Sequence, residues 1–334
     1  ADIYVGGLWL DALMLLAAVI PTAFFVTLIY WADRYEKEPI WLLAAVFLWG
    51  AVPSIIIAYI FNTLFSAPIY LLAGDGAAAD MMSAAFIAPV VEETVKGFAL
   101  LIIFWLRREE IDSWLDGIIY GAMVGLGFAL VENIYYFIGQ YQDGGLNAWS
   151  VNVFMRSIIF GLNHALFTSM AGLGLAAGYL STNKFVRMTA PVMGWGAAVF
   201  LHFWHNLTVS LGGGFILAAL LFDWGGVWLI LGIMVWALVQ EGRWLKRYLA
   251  EEVHQGTLTA AQYKLACSSR RRFGFIYGRF FSHGFHSSRA ASRFFYECSH
   301  LAYKKHHFAL FNDAKTARLI QQSREKIGRL SQNI

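Results

Sequence analysis

The sequence predicts an all-α, multi-spanning membrane protein: a bundle of about seven transmembrane helices followed by a basic cytoplasmic C-terminal tail. Three observations lead there. Only 14% of the 334 residues are charged and 58% are hydrophobic, against roughly 25% charged in soluble domains, and the mean hydropathy is +0.55. Seven apolar stretches reach the length of about 20 residues that a helix needs to cross the hydrocarbon core. The charge is split: residues 1–240 carry 8 Lys+Arg against 16 Asp+Glu, and residues 241–334 carry 17 against 6.

Taken in order, the spans fall near 8–31, 40–61, 83–106, 117–138, 158–180, 191–211 and 215–239. The first is too long, and lacks the basic lead-in and small-residue cleavage site, to be a removed signal peptide. The chain opens at Ala1 rather than Met, so a few native residues are expected to precede it. Residues 62–82 read as a loop with a short apolar patch, re-entrant or lying on the surface. Gly117, Gly121 and Gly125, and then Gly174 and Gly178, recur every four residues, the spacing that lets helix backbones approach closely in lipid. The 13 Trp, 15 Tyr and 27 Phe suit interface belts. Residues 241–334 form the basic tail. Thr259 and Gln262 make a capping box that opens a short helix, residues 268–300 lack clean periodicity and read as a poorly ordered surface-binding stretch, and 313–331 form one more polar helix. Cys267 and Cys298, both in the tail, make neither a disulfide framework nor a zinc-finger spacing.

Basic loops set the orientation. Arg34 and Lys37, Arg107 and Arg108, Lys184 and Arg187, and Arg243, Lys246 and Arg247 follow the first, third, fifth and seventh spans, with Arg156 the one exception on the other side. The N-terminus is therefore expected outside the cell membrane and the tail in the cytoplasm. The tail's net charge of +11 favours anionic lipid. No recognised motif points to nucleic acid, and none is expected as a partner.

Four spans carry residues that hydrocarbon penalises: Glu92, Glu93 and Lys96; Glu132 and Asn133; Asn163 and His164; His202, His205 and Asn206. An ionisable group at mid-membrane costs at least about 2.5–3.5 kcal/mol, so it survives where it pairs, binds metal or does chemistry. At 1.5 Å per residue, Glu92 and His202 lie roughly 14 Å, Glu132 and His164 roughly 9 Å, and Asn206 roughly 8 Å below the outer ends of their spans. Alternating helices thus set them in one outer-half layer. Lys96 stands i+4 from Glu92 and i+3 from Glu93, able to pair with either. The two glutamates point about 100° apart, which gives them different jobs. His202 and Asn206 share a face, and His205 either joins them or braces a neighbouring helix.

Peptide hydrolysis needs an activated water, a proton donor for the leaving amine and a polarised carbonyl. Carboxylates and imidazoles supply these directly, or by holding a metal whose bound water has a pKa near ~7. Taken singly, each residue also has a structural reading: a Glu–Lys brace, a hydrogen-bonded core histidine, asparagines as interhelical glue. Their shared depth on four helices favours a reaction site.

EExxK at Glu92, Glu93 and Lys96, FxxxEN at Phe128, Glu132 and Asn133, the intramembrane His164, and HxxxN at His202 and Asn206 together resemble the PrsW family of intramembrane proteases, relatives of the CAAX-processing (CPBP) membrane proteases. The loop Asp33–Pro39 resembles that family as well, and the likeness covers roughly residues 20–265. It implies a transmembrane protease domain over 1–240 that cuts membrane-anchored proteins near the extracytoplasmic side; the family's best-known role is first-site cleavage of an anti-sigma factor. Glu132 stands where the CAAX-processing relatives have His, which argues against prenyl-protein processing. By the same resemblance Glu92 is the general base or a metal ligand, Glu93 pairs with Lys96, His164 and His202 bind metal or polarise water and carbonyl, Asn206 assists as oxyanion donor, and Glu132 completes the site. Zinc and a glutamate-activated water both stay open.

Two other classes compete. An ion-coupled transporter would use a Glu/His relay but predicts inverted repeats and a midplane site. A membrane scaffold acting through its tail predicts that the buried Glu and His tolerate replacement.

Overall fold

The computed structural model describes residues 7–332 and 334, and among these every regular element is helical, with no strand. Two compact units are formed, one of residues up to Ala32 together with Pro39–Ile233, the other of Asp33–Glu38 with Met234–Ile334.

The first unit begins with α1 (Leu8–Ala32) and α2 (Ile40–Trp49). Proline has no N–H to give, and around Pro53 the ladder widens into a π-helical segment, Gly50–Ser54, before α3 (Ile55–Ala73). The expected loop at 62–82 is instead helix apart from residues 74–76: α3 runs on through Pro68 to Ala73, and α4 (Ala77–Met82) passes through the π-segment Ser83–Ile87 into α5 (Ala88–Leu106). Its polar residues have found partners that the linear sequence conceals. Ser66 bonds Ser83, and Asn62 reaches Glu92. Residues 140–157, between two expected spans, are helical as well. The chain stays helical in α6 (Trp114–Val153), broken by Gly145 at φ 65°, and continues through the π-segment Phe154–Ile159 towards α7 (Asn163–Tyr179). Ser113 and Asp116 form a capping box at the start of α6. Next comes α8 (Lys184–Leu211), capped by Asn183.

Among the described residues, four helical stretches are long and apolar enough to cross a membrane: Trp9–Ala32, Ile40–Ala73, Trp114–Tyr179 and Phe215–His254. The stretches at 83–106 and 191–211, expected as further spans, are helical as α5 and α8 but lie outside this set; Glu92, Glu93 and Lys96 in α5, and the His and Asn residues of α8, lower their apolarity.

The recurring glycines do what the sequence requires of them. Going down α6 and up α7, Gly117 lies against Gly172, Gly121 against Thr168 and Ser169, and Gly125 against His164 and Ala165, so close that a Cβ at each would strike the facing backbone. Gly174 and Gly194 make the same approach between α7 and α8. This antiparallel register carries His164 opposite Gly125.

The second unit is built on the C-terminal part of α9 (Phe215–His254), α10 (Ala260–Ala266), α11 (Ser269–Phe311) and α12 (Ala314–Ser331). The Thr259–Gln262 capping box forms, and so does the polar helix expected at 313–331. Residues 268–300 are ordered helix. Gly284, at φ 78°, folds α11 back on itself, so that Phe275 meets Phe295 at 5.8 Å and Arg272 reaches Ser299 at 2.8 Å. The bend brings Phe294, Cys298 and Leu301 against Leu245 and Leu249 in one buried core. Glu252, fully buried, binds Lys305 and Arg324, each at 2.8 Å.

Asp33, 4% exposed, accepts the Glu38 N–H at 2.9 Å. Burial pushes its carboxyl up to about 7, against the pull of Lys37. The folded state therefore favours the protonated form. Its contribution to stability is full below the unfolded value of about 3.9 and is lost as pH rises through about 7. Thermal melts of wild type should fall between pH 4.5 and 8 relative to Asp33→Asn, with a slope difference of at most about 1.4 kcal/mol per pH unit. Parallel curves would exclude Asp33 as the cause.

Candidate active site

The polar residues of α5, α6, α7 and α8 converge. Lys96 is fully buried, and its ammonium has three N–H donors to place. It places them on Glu93 Oε1 at 2.8 Å, His164 Nδ1 at 3.1 Å and Glu92 Oε2 at 3.5 Å, while lying 3.7 Å above the Phe128 ring. Glu93, also fully buried, takes a second donor from Thr168 at 2.9 Å and faces His202 Nδ1 at 3.0 Å. A carboxylate only accepts, so His202 holds its proton on Nδ1 and presents Nε2, 3.9 Å from Glu92 Oε2.

Glu132 forms the other wall. Its Oε2 receives Arg156 Nη2 at 2.6 Å and His164 Nε2 at 2.7 Å, leaving Oε1 outside these bonds. Arg156 also donates to Asn133 Oδ1 at 2.8 Å and stacks on Tyr136. The ring of Phe167 lies flat on His202, 4.9 Å between centroids, and screens it from water.

Glu92 is different from the other two carboxylates. It is 6% exposed, yet its polar contacts are long: Asn62 at 3.4 Å, Lys96 at 3.5 Å and His202 at 3.9 Å. Three carboxyl groups face Lys96 and Arg156 here, so one carboxyl is left for a proton or a further cation to balance. Glu92, His164 and His202 each offer a ligand atom, and these atoms lie within 4.8 Å of one another. Two imidazoles and a carboxylate are a zinc-type donor set. Both imidazoles give their other ring N–H to a glutamate, the support that metal-binding histidines commonly have. The residues fit such an ion, on condition that Lys96 releases His164 Nδ1.

Two predicted residues land elsewhere. Asn206 spends its amide on the Ala84 carbonyl at 2.8 Å, and His205 turns to α9. There a second polar cluster forms, with His205 Nδ1 at 2.7 Å and Asn163 Nδ2 at 2.8 Å from Asp223 Oδ2. Asp223 is fully buried, and among the described residues its Oδ1 has no partner. His205 thus bonds a residue of a neighbouring helix, the contact that the second of its two roles in the sequence calls for. Sequence reasoning passed over Arg156, Asp223, Thr168 and Asn62. Two of them left a signal: Arg156 breaks the basic-loop asymmetry, and Asp223 is a lone acid in an apolar run.

A family model described as PrsW family intramembrane metalloprotease matches residues 38–239, a stretch that takes in every residue of both clusters. The Protease PrsW of Geobacillus kaustophilus is 29% identical over 192 residues, covering 57% of this chain and 76% of that protein. That of Oceanobacillus iheyensis is 30% identical over 173 residues, covering 51% and 71%. That of Bacillus subtilis is 29% identical over 169 residues, covering 50% and 70%. No solved structure matches.

Proposed function

Because the chain belongs to the PrsW family of intramembrane metalloproteases, we propose that it is an endopeptidase that hydrolyses a peptide bond of a membrane-anchored protein, with zinc held by Glu92, His164 and His202. The observation that carries this reading is the convergence of those three donors on a buried cluster from three different helices. Bound there, zinc would lower the pKa of a coordinated water to about 7 and polarise the scissile carbonyl.

The protein's own groups do the rest. Glu93 fixes the tautomer and ring orientation of His202, Lys96 neutralises Glu93, and Glu132 does for His164 what Glu93 does for His202. Glu132 Oε1 accepts the proton of the attacking water and later delivers it to the leaving amine. Arg156, bonded to Oε2, holds that carboxylate in place through both transfers. Phe128 and Phe167 keep bulk water out, which strengthens each of these interactions. The basic loops support a cell-membrane topology with the N-terminus outside and the C-terminal region in the cytoplasm, so the cut falls near the extracytoplasmic face.

The test uses purified protein in detergent, a membrane-anchored reporter substrate and metal analysis. Glu92→Gln and His202→Ala should lose zinc and cleavage together. Glu132→Gln should keep the zinc and lose about 10²–10⁴-fold in rate, the range of general acid–base catalysis. Active wild type without metal would make Glu92 the water's base instead. Folded variants that all cleave like wild type would refute the site.

A further inference from the structure

The folded-back α11 carries a surface that the peptidase reading does not use. From Val253 to Tyr296 the chain has no acidic residue and seven basic ones. Within that run the hairpin sorts its aromatic residues into two sets. Phe294 and Phe295 are buried in the core, with Phe275 packed against it. Phe273, Tyr277 and Phe281 instead follow one another at i, i+4 and i+8 on one face, and they are 55%, 50% and 81% exposed. Phe273 and Tyr277 are in ring contact at 4.2 Å. At the bend Phe280 and Phe285 are 46% and 62% exposed. Arg270 and Arg271 at one end and Arg289 at the other are exposed and frame this strip. Arg279 ties the bend together through Ser287 at 3.2 Å, so the strip is presented on a closed hairpin.

We propose that this aromatic strip and the bend at Gly284 dock into the headgroup layer of an anionic phospholipid bilayer, with Phe281 and Phe285 as wedges and Arg270, Arg271 and Arg289 pairing with lipid phosphates. Soluble surfaces rarely leave so many neighbouring aromatic rings in water. An aromatic strip rimmed by arginine is the arrangement that lies at a membrane interface. The charge argues for the same partner: six of the seven basic residues, all but the buried Arg272, are not buried, and without one acid among them they are attracted to an anionic leaflet. The bilayer is also a tethered candidate ligand, since α9, one of the stretches long and apolar enough to span, runs on into this unit. That covalent tether supplies a high effective concentration of lipid surface.

The proposal stands apart from the peptidase reading, and its test reads no activity. In the full chain, Ser282→Cys, at the exposed bend, is labelled with an environment-sensitive fluorophore in a Cys267→Ser background. The other thiol, Cys298, is fully buried and pushed up to about 12 by that burial, so it does not react. The protein is reconstituted in phosphatidylcholine, with or without about one-third phosphatidylglycerol. Emission should move to the blue and rise at least about twofold in the anionic bilayer only, and spin-labelled headgroups should quench it. The rise should shrink in about 0.5 M salt. It should vanish in Phe281→Ser/Phe285→Ser and in Arg270→Gln/Arg271→Gln/Arg289→Gln, with helix content unchanged by circular dichroism. Equal emission in both bilayers would overturn the proposal. So would a rise that needs added RNA, or one that follows protein concentration and so marks a second copy as the occupant.

Discussion

Lys96→Met should abolish peptide hydrolysis and lower stability by about 3–5 kcal/mol, the usual cost of removing one partner from a buried ion pair. The side chain is fully buried and touches Glu93, Glu92 and His164 at once. Its loss leaves two carboxylates facing one another without the shared cation. It also frees Glu93 to swing, and with it the His202 ring that Glu93 holds at 3.0 Å. The check is unfolding in a denaturing-detergent titration alongside cleavage of the reporter. The double variant Lys96→Met/Glu93→Gln separates the two effects, since removing both members of a buried pair costs far less than removing one. It should regain most of the stability and none of the activity. A single variant as stable as wild type would show that the cluster is not held by Lys96.

Gly125→Val should cut cleavage at least about 10²-fold, the size of loss that a 1 Å misplacement can produce, and should cost about 1–3 kcal/mol through overpacking. A Cβ at Gly125 strikes the His164 carbonyl and comes within 2.8 Å of the Ala165 nitrogen. Nothing flexible lies there to give way. The start of α7 has to move, and His164 moves with it, away from Glu132 and Lys96. Zinc content should fall in the same variant. Gly139→Ala is the control, on the same helix with nothing within 4 Å of its Cβ. It should leave activity unchanged and gain about 0.5–1 kcal/mol of helix stability. A Gly125→Val protein as active as the control would mean that the α6–α7 register does not set the site.

Both variants act on features that were partly legible in the sequence. The glycine spacing announced close helix packing, and EExxK announced a Glu–Lys pair. Neither said which residue of another helix would be met. The glycine at position 125 comes against the candidate site only because α7 runs antiparallel to α6 in the register that sets 117 on 172, 121 on 168 and 125 on 164. Arg156 was visible only as an exception to the loop charges, and its role appears once Glu132 and Asn133 are beside it. Asn206, on the same helix face as His202, was expected in the chemistry and is held by a backbone carbonyl of the π-segment before α5.

By itself the sequence determined the helical class, the membrane character, the Thr259–Gln262 capping box and most of the polar residues that meet in the candidate site. Those properties depend on composition and on neighbours within one turn of helix, where spacing and side-chain type are enough. Tertiary structure alone decided that 62–82, apart from 74–76, and 268–300 are helical, that α11 folds back at Gly284, and that Lys96 sits between Glu93 and His164. Polar groups at such places are satisfied by partners far along the chain, Ser83 for Ser66 at 17 residues, Glu92 for Asn62 at 30 and Tyr35 for Ser299 at 264. Local periodicity has no access to separations of that length.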